Sequence, residues 1–461
     1  MSDRLTDAEA FMWRLENDPW LQSTFGALCV LDGPVDMARL EGRLRGAVLR
    51  MPRLRQRVVE SPGHNPAWAT DSEFDLAYHL RHTALPAEST ETDLLDHAAR
   101  IVADPLDRTR PLWQFHVIDH PGGSAVVTKL HHSVADGEAS VQLSLEYMEF
   151  APEPGDDPCT SADQVAELIA AETKSQDPLA TWGAALRSGA ESGIGRLRHV
   201  LGEAAMYMAD PPRVGEDVNA LFSAVRAGAD QLVAGVAPSP LWAQRSRHRQ
   251  LRRVTSSLPA AVSAAQALGG TLNDLLLTTA AEAAHRQHAA HGLDIDQLPG
   301  SFIVSTRAEG ELGGNAFTPA SIALPTRPLD LRQRFATVAG LTSAAKDSQQ
   351  HQPNLFEALA TPARLLPNAG LSALGRQQAS KLDLATSNVR SSPLPVWVGG
   401  ARIIGNCPIG PVAGTAANIT LMSYCDQIDI GIHVDPTAIG NVDSFVADFE
   451  DAWTALTRSS A

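Results

Sequence analysis

Along the chain, apolar positions recur with the period of a helix in some segments and run together as short strand-like stretches in others. Between Met37 and Met51, Leu40, Leu44 and Val48 fall on one face, the 3.6-residue spacing of an amphipathic helix. Leu5 to Glu16 also reads as helix, and Thr6 with Glu9 has the spacing of a capping box at its start. Gly26–Leu31, Leu112–Ile118 and Ala125–Leu130 are compact apolar runs of strand length. The last two are separated by Asp119-His-Pro-Gly-Gly123, which is hairpin-turn chemistry. Helices are predicted near Asp93–Val102 and from Gly137 to Met148.

The pattern changes at Ala151-Pro-Glu-Pro-Gly-Asp-Asp-Pro158, a polar, proline-rich stretch. Ala- and Glu-rich helical sequence follows to about Val236, then the loop Ala237-Pro-Ser-Pro240. A second α/β region begins at Arg252. It has a helix from Thr271 to about His288, strands at Ser301–Ser305 and Ile322–Leu324, and a helix near Leu331–Lys346. Strands at Leu382–Val389, Ile419–Tyr424 and Ile428–Val434 precede a last helix from Val442. The class is therefore mixed α/β, organised as an N-terminal lobe (1–150), linker and connector helices (151–250) and a C-terminal lobe (251–461).

With 461 residues, 44% of them hydrophobic, the chain can bury two cores. A net charge of −16 argues against nucleic acid as a partner, because phosphate binding needs a basic footprint. Cys29, Cys159, Cys407 and Cys425 are far apart and form no C-x-x-C pair, so reduced thiols in a cytoplasmic protein are expected. The N-terminus lacks the layout of a signal peptide, and no run of 18 apolar residues suggests a bilayer span.

The chemistry-bearing stretch is Lys129-Leu-His-His-Ser-Val-Ala-Asp-Gly137. Strand residues alternate faces, so His131 and His132 at the end of a strand should point apart and do different work. Histidine titrates near neutrality and is the side chain best matched to general-base work there. Asp136 is placed to hold structure around the imidazole or to pair with an arginine, and Gly137 lets the chain turn into the next helix. Upstream, Pro105-Leu-Asp-Arg-Thr-Arg-Pro-Leu-Trp113 reads as scaffold, with Trp113 as a core anchor.

In Gly269-Gly-Thr-Leu-Asn-Asp274, a capping box accounts for Asp274, whereas Asn273 at an early helical position is open to a role near an anion. His285, His288 and His291 recur every three residues without a carboxylate at ligand spacing, so a last helical turn explains them better than a metal. The run Arg245-Ser-Arg-His-Arg-Gln-Leu-Arg-Arg253 is either a solvated face or a seat for an anionic headgroup or nucleotide phosphate. There is no G-x-S-x-G elbow, no Walker A loop and no dinucleotide fingerprint in context.

HHSVADG, PLDRTRPLW and TLNDLLL, with Ser301–Asn315, Ala385–Pro393, Gly399–Ile403 and Asn418–Ile432, occur in the order and spacing of one family. The chain resembles the bacterial bifunctional wax ester synthase/diacylglycerol acyltransferases, themselves similar to chloramphenicol acetyltransferase and to peptide-synthetase condensation domains. The resemblance implies two acetyltransferase-like lobes with mixed sheets and a tunnel between them. It implies acyl-CoA as co-substrate with no cofactor or metal, and diacylglycerol or a long-chain alcohol as acceptor. His132 would be the general base, and His131, Asp136 and Gly137 would order its loop. Asn273 and Asp274 match the family's second motif.

Two departures stand out. Ala8-Glu-Ala-Phe-Met12 replaces a Leu-Asp-Ala-x-Phe pattern, and Arg390 falls within a common Asn-Val-Pro-Gly turn, which bears on the mouth of the tunnel. A carrier-protein thioester as donor and a non-catalytic lipid-binding protein are the alternatives. Peripheral contact with a membrane or lipid body and a homodimer are left open.

Overall fold

Two six-stranded mixed sheets, each covered by helices, carry the fold of the computed structural model, which describes residues 4–61, 64–135, 137–153, 161–175, 235–305, 317–350 and 368–458. The first sheet is built from β1 (Thr24–Leu31), β4 (Leu80–Ala84), β5 (Trp113–His120), β6 (Gly123–His131), β11 (Trp397–Val398) and β12 (Ala401–Ile409), in the order β11-β12-β1-β6-β5-β4. The second holds β7 (Gln250–Ser257), β8 (Gln297–Ser305), β9 (Phe317–Pro325), β10 (Leu384–Arg390), β13 (Ala417–Tyr424) and β14 (Gln427–Val434), in the order β7-β14-β13-β10-β8-β9. A separate hairpin joins β2 (Gln56–Ser61) to β3 (His64–Thr70).

Most predicted elements are present. The N-terminal helix is Asp7–Leu15, with Thr6 and Glu9 forming the reciprocal capping box. The β5–β6 hairpin turns at His120↔Gly123, as its Asp-His-Pro-Gly-Gly sequence requires. Trp113 is fully buried, its indole donates to Leu54 O at 2.8 Å, and it stacks on His79 at 4.3 Å. The predicted helix from Thr271 runs Leu272–Ala290 with Thr271 as its cap. It is buried on most sides between the second sheet and the helices Leu331–Gln350 and Val442–Arg458, which is why its apolar positions show little one-sidedness. The helical text predicted between 176 and 234 lies outside the described residues.

The sheets do not divide the chain in sequence order. β11 and β12 come from the C-terminal region yet pair into the first sheet, β12 lying antiparallel to β1 with Leu28 opposite Cys407. Lobes running 1–150 and 251–461 take no account of this exchange. β12 then crosses β14 closely. A Cβ on Gly431 would lie 1.8 Å from Pro408 O, so only glycine lets the two backbones approach here. Asn406 N donates to Asp429 Oδ2 at 2.7 Å across the same crossing.

The basic run 245–253 is a solvated face only in part: Arg247 and His248 are exposed, whereas Arg245, Arg252 and Arg253 are spent on carboxylates. Arg245 pairs with Asp383 at 2.6 Å, Arg252 with Asp96 at 3.0 Å and Asp443 at 2.9 Å, and Arg253 with Glu91 at 2.6 Å. Asp96 and Glu91 belong to the helix Glu91–Ala103 of the first lobe, so β7 is tied to that lobe by charge. The spacing of arginines in sequence could not reveal carboxylates more than 130 positions away.

Candidate functional site

The two histidines have different surroundings, although the strand does not continue through both. β6 ends at His131, which is buried, and His132 sits in the following turn, half-buried. The Ser133 backbone N–H donates to His131 Nδ1 at 3.0 Å, with Ser133 Oγ 2.7 Å from the same nitrogen. A ring nitrogen that accepts carries no proton, so the proton belongs on Nε2 and is donated to Glu16 Oε2 at 2.5 Å. Glu16 Oε1 in turn accepts from the Ser23 backbone N–H at 2.9 Å and from Ser23 Oγ. Glu16 closes the N-terminal helix as its C-cap. Sequence reasoning missed it, because nothing local distinguishes a helix-terminal glutamate that reaches a histidine 115 positions away.

His132 faces a cavity of about 440 Å³ lined by both lobes. This is the size of a small-molecule site. Its ring packs against Phe25 of β1 at 4.5 Å between centroids, tilted by 35°. On the first-lobe side the wall is largely apolar: Met12, Phe25, Cys29, Phe115, Leu143 and Met148. The second lobe contributes more polar groups, among them Thr386, Ser387, Asn388, Asn418 and Thr420. Asn418 is held by its own bonds, Nδ2 to Pro411 O at 3.0 Å and Oδ1 from Thr420 Oγ1 at 2.7 Å. Apolar walls with a few fixed polar groups and one accessible imidazole can hold a lipid-like molecule and take a proton from its hydroxyl.

The remaining predicted residues are placed as follows. Gly137 opens the helix Gly137–Leu145, whose Ser140, Val141 and Leu143 line the cavity. Asp136 lies outside the described residues. Asp274 is buried and spent on capping: Oδ2 accepts from Thr271 N and Oγ1 at 2.8 and 2.7 Å, and Oδ1 from Thr342 Oγ1 at 2.5 Å. Neither Asp274 nor the half-buried Asn273 is among the cavity-lining residues. Arg390 is exposed at the end of β10. Its neighbours Asn388, Val389 and Ser391 line the cavity, and Arg390 itself does not. Met12, one of the departures noted in the sequence, is in the wall.

Metal chemistry finds no support in the histidine triplet. His288 is buried, with Nε2 2.6 Å from Ser239 Oγ and Nδ1 2.7 Å from Ala284 O, and burial lowers its pKa. Among the described residues, no group of three His, Cys, Asp or Glu side chains could hold a metal ion.

Cys29 lines the cavity but is a poor nucleophile. Burial, reinforced by the Asp429 carboxylate, pushes its thiol up to about 12. The thiolate, the nucleophilic form, is therefore scarce at pH 8. Cys29 is accordingly expected to resist iodoacetamide at pH 8 in the native protein and to react after urea unfolding, as read by mass spectrometry of the peptide. Full native alkylation within minutes would contradict this account of the wall.

The chain matches the wax ester synthase/diacylglycerol acyltransferase catalytic domain over residues 5–276 and the WS/DGAT C-terminal domain over 313–457. A Mycobacterium tuberculosis protein named a diacylglycerol O-acyltransferase is 29% identical over 457 residues, covering 96% of this chain and 90% of the relative. A second from that organism is 26% identical, covering 99% and 96%. Among solved structures, the wax ester synthase/diacylglycerol acyltransferase of Marinobacter aquaeolei VT8 superposes with a TM-score of 0.64 at 20% identity, over 99% of both chains. The first condensation domain of the CDA synthetase superposes at 0.54 and 19% identity, over 100% of this chain and 96% of that one. The two-lobed arrangement of mixed sheets is thus the acetyltransferase-like fold that the sequence motifs imply.

Proposed function

We propose a specific reaction for this chain, which belongs to the wax ester synthase/diacylglycerol acyltransferase family and is an acyltransferase: it moves a long-chain acyl group from acyl-CoA to the hydroxyl of diacylglycerol, giving triacylglycerol, or of a long-chain alcohol, giving a wax ester. The observation that carries this reading is His132 on the wall of an apolar cavity shared by both lobes. The acceptor oxygen attacks the thioester carbonyl carbon, the carbon–sulfur bond breaks, and the coenzyme leaves as its thiol.

His132 takes the hydroxyl proton as the new bond forms. It cannot make free alkoxide, since the pKa of an alcohol lies near that of water, about 15.7, so the transfer is concerted with attack. The imidazolium formed then passes its proton to the departing thiolate, so the base returns to its starting state. No acyl-enzyme is needed, in keeping with the suppressed Cys29 thiol, and acyl-CoA enters as co-substrate with no cofactor. His131 and Gly137 shape the loop that presents His132, with Asp136 assigned the same task.

The acceptor is drawn from a lipid surface by peripheral contact. Among the described residues no helix is long and apolar enough to cross a membrane. Phe150 and Leu394 are 57% and 60% exposed, on segments brought together by the Glu149↔Trp397 bridge, and Leu394 follows cavity-lining Ser391 by three residues.

Thiol release from palmitoyl-CoA by the purified protein should depend on acceptor, rising with diacylglycerol or a long-chain alcohol over the acceptor-free rate. No release with any acceptor, from folded protein that binds palmitoyl-CoA, would overturn the reading. Release only from a carrier-protein thioester would replace acyl-CoA as donor.

A further inference from the structure

Glu16 sits at the centre of a set of contacts that the proposed reaction does not by itself call for. Its side chain is 9% exposed, and both carboxylate oxygens accept hydrogen bonds: Oε2 from His131 Nε2 at 2.5 Å, Oε1 from the Ser23 N–H at 2.9 Å and from Ser23 Oγ. The other nitrogen of His131 accepts the Ser133 N–H at 3.0 Å. The residues on either side of His132 are therefore tied to one imidazole, and that imidazole is tied to Glu16. The same carboxylate holds Ser23, two positions before Phe25, whose ring packs on His132. Met12, a cavity residue, lies on the helix that Glu16 closes. Around this junction, Trp13 meets His131 edge-on at 6.0 Å between ring centroids. Arg108 lies over the Trp13 ring at 3.5 Å and donates to Trp13 O at 2.9 Å.

We infer that Glu16 is a positioning residue for the transfer, fixing the orientation of His132 through His131 on one side and through Ser23 and Phe25 on the other. The inference rests on the reaction proposed above. Its chemical content is that the junction needs two acceptor oxygens. In Glu16→Gln one oxygen becomes an NH₂ group. If the amide NH₂ faces His131, donor meets donor at Nε2–H. If it faces Ser23, donor meets the Ser23 N–H. Moving the His131 proton to Nδ1 only transfers the conflict to the Ser133 N–H. An isosteric replacement therefore cannot satisfy the network, whereas Glu16→Asp keeps both acceptors on a shorter arm.

Small displacements of a catalytic group can lower turnover by on the order of 10²-fold without touching substrate. Glu16→Gln should thus lower kcat by about 10–100-fold while KM for palmitoyl-CoA stays within about 3-fold. Glu16→Asp should recover part of the loss. Adding Glu16→Gln to His131→Asn should lower kcat by less than the product of the two single effects, since they act through one contact.

The deciding measurement pairs these kinetics with ¹⁵N-histidine NMR of the ligand-free protein, which reads ring environment without turnover. Movement of both the His131 and His132 ring resonances in Glu16→Gln supports the inference; movement of His131 alone overturns it. Wild-type kcat in Glu16→Gln, or fully multiplicative effects with His131→Asn, also overturns it. If Glu16→Gln does not fold, Glu16→Asp is read alone, and wild-type kcat with unmoved His132 resonances overturns the inference. A wild-type protein that transfers nothing would sink the proposed reaction, while the spectra still decide whether Glu16 orients His132.

Discussion

Replacing His132 with alanine is expected to lower kcat for acceptor-dependent thiol release by about 10²–10⁴-fold, the contribution general-base catalysis typically makes. KM for palmitoyl-CoA should change little, because the imidazole meets the reacting hydroxyl rather than the bulk of the donor. The loss should fall on kcat and on kcat/KM together, as for an interaction made only in the transition state. The fold should survive the change. His132 is half-buried in the turn after β6, and its packing partner, Phe25, is held by β1. Removing the ring enlarges a cavity that already exists, so the melting temperature should stay close to that of the wild type. Residual transfer should persist, since holding acyl donor and acceptor together contributes independently of the base. Unchanged kcat in a folded His132→Ala protein would remove His132 from the mechanism, whatever its position on the wall.

The largest effect on stability is expected from Gly431→Ala. The added methyl would meet Pro408 O at 1.8 Å and Pro408 C at 3.0 Å, both backbone atoms of a strand hydrogen-bonded into the other sheet. Neither neighbour is the free end of a flexible side chain, so β12 and β14 must part. Overpacking of this kind typically costs about 1–3 kcal/mol, and the upper end is expected here because the obstacle is main chain. The contrasting substitution is Gly340→Ala, within the helix Leu331–Gln350, where an added Cβ meets nothing within 4 Å. There alanine should stabilise by about 0.5–1 kcal/mol through better helix propensity. Urea unfolding of the two variants should therefore move the midpoint in opposite directions. Equal midpoints would mean that the strand crossing is looser than its geometry implies. Pro408 also lines the cavity, so Gly431→Ala should disturb transfer as well as stability.

Much of the fold and part of the site were legible in the sequence, and the boundary between the two has a physical basis. Local signals carried far. The capping boxes at Thr6 and Thr271, the hairpin turn at Asp119–Gly123 and the helix from Val442 depend on neighbours within a few residues, and each lies where its local chemistry puts it. The two-residue period of a strand suggested that His131 and His132 do different work, but β6 ends at His131 and it is the turn after it that places His132. The motifs likewise carried the family and the two-lobed fold.

What depended on distant partners was not legible. Arg245, Arg252 and Arg253 read as surface because their carboxylates, Asp96, Glu91, Asp383 and Asp443, lie far away in sequence. Asp274 drew attention as a site residue, yet its oxygens are consumed by Thr271 and Thr342, and Thr342 lies 68 positions on.

By itself, then, the sequence determined the periodic elements, their caps and turns, the mixed α/β class and the histidine pair at the end of β6. These follow from interactions along the chain, which composition and spacing encode directly. Only the tertiary structure decided that β12 crosses into the first sheet, that Gly431 and Pro408 meet, that both lobes line one cavity around His132, and that Glu16 closes on His131. Each of those joins groups that are remote along the chain. The decisive quantity there is a distance in space of a few ångströms, and no local pattern of residues records it.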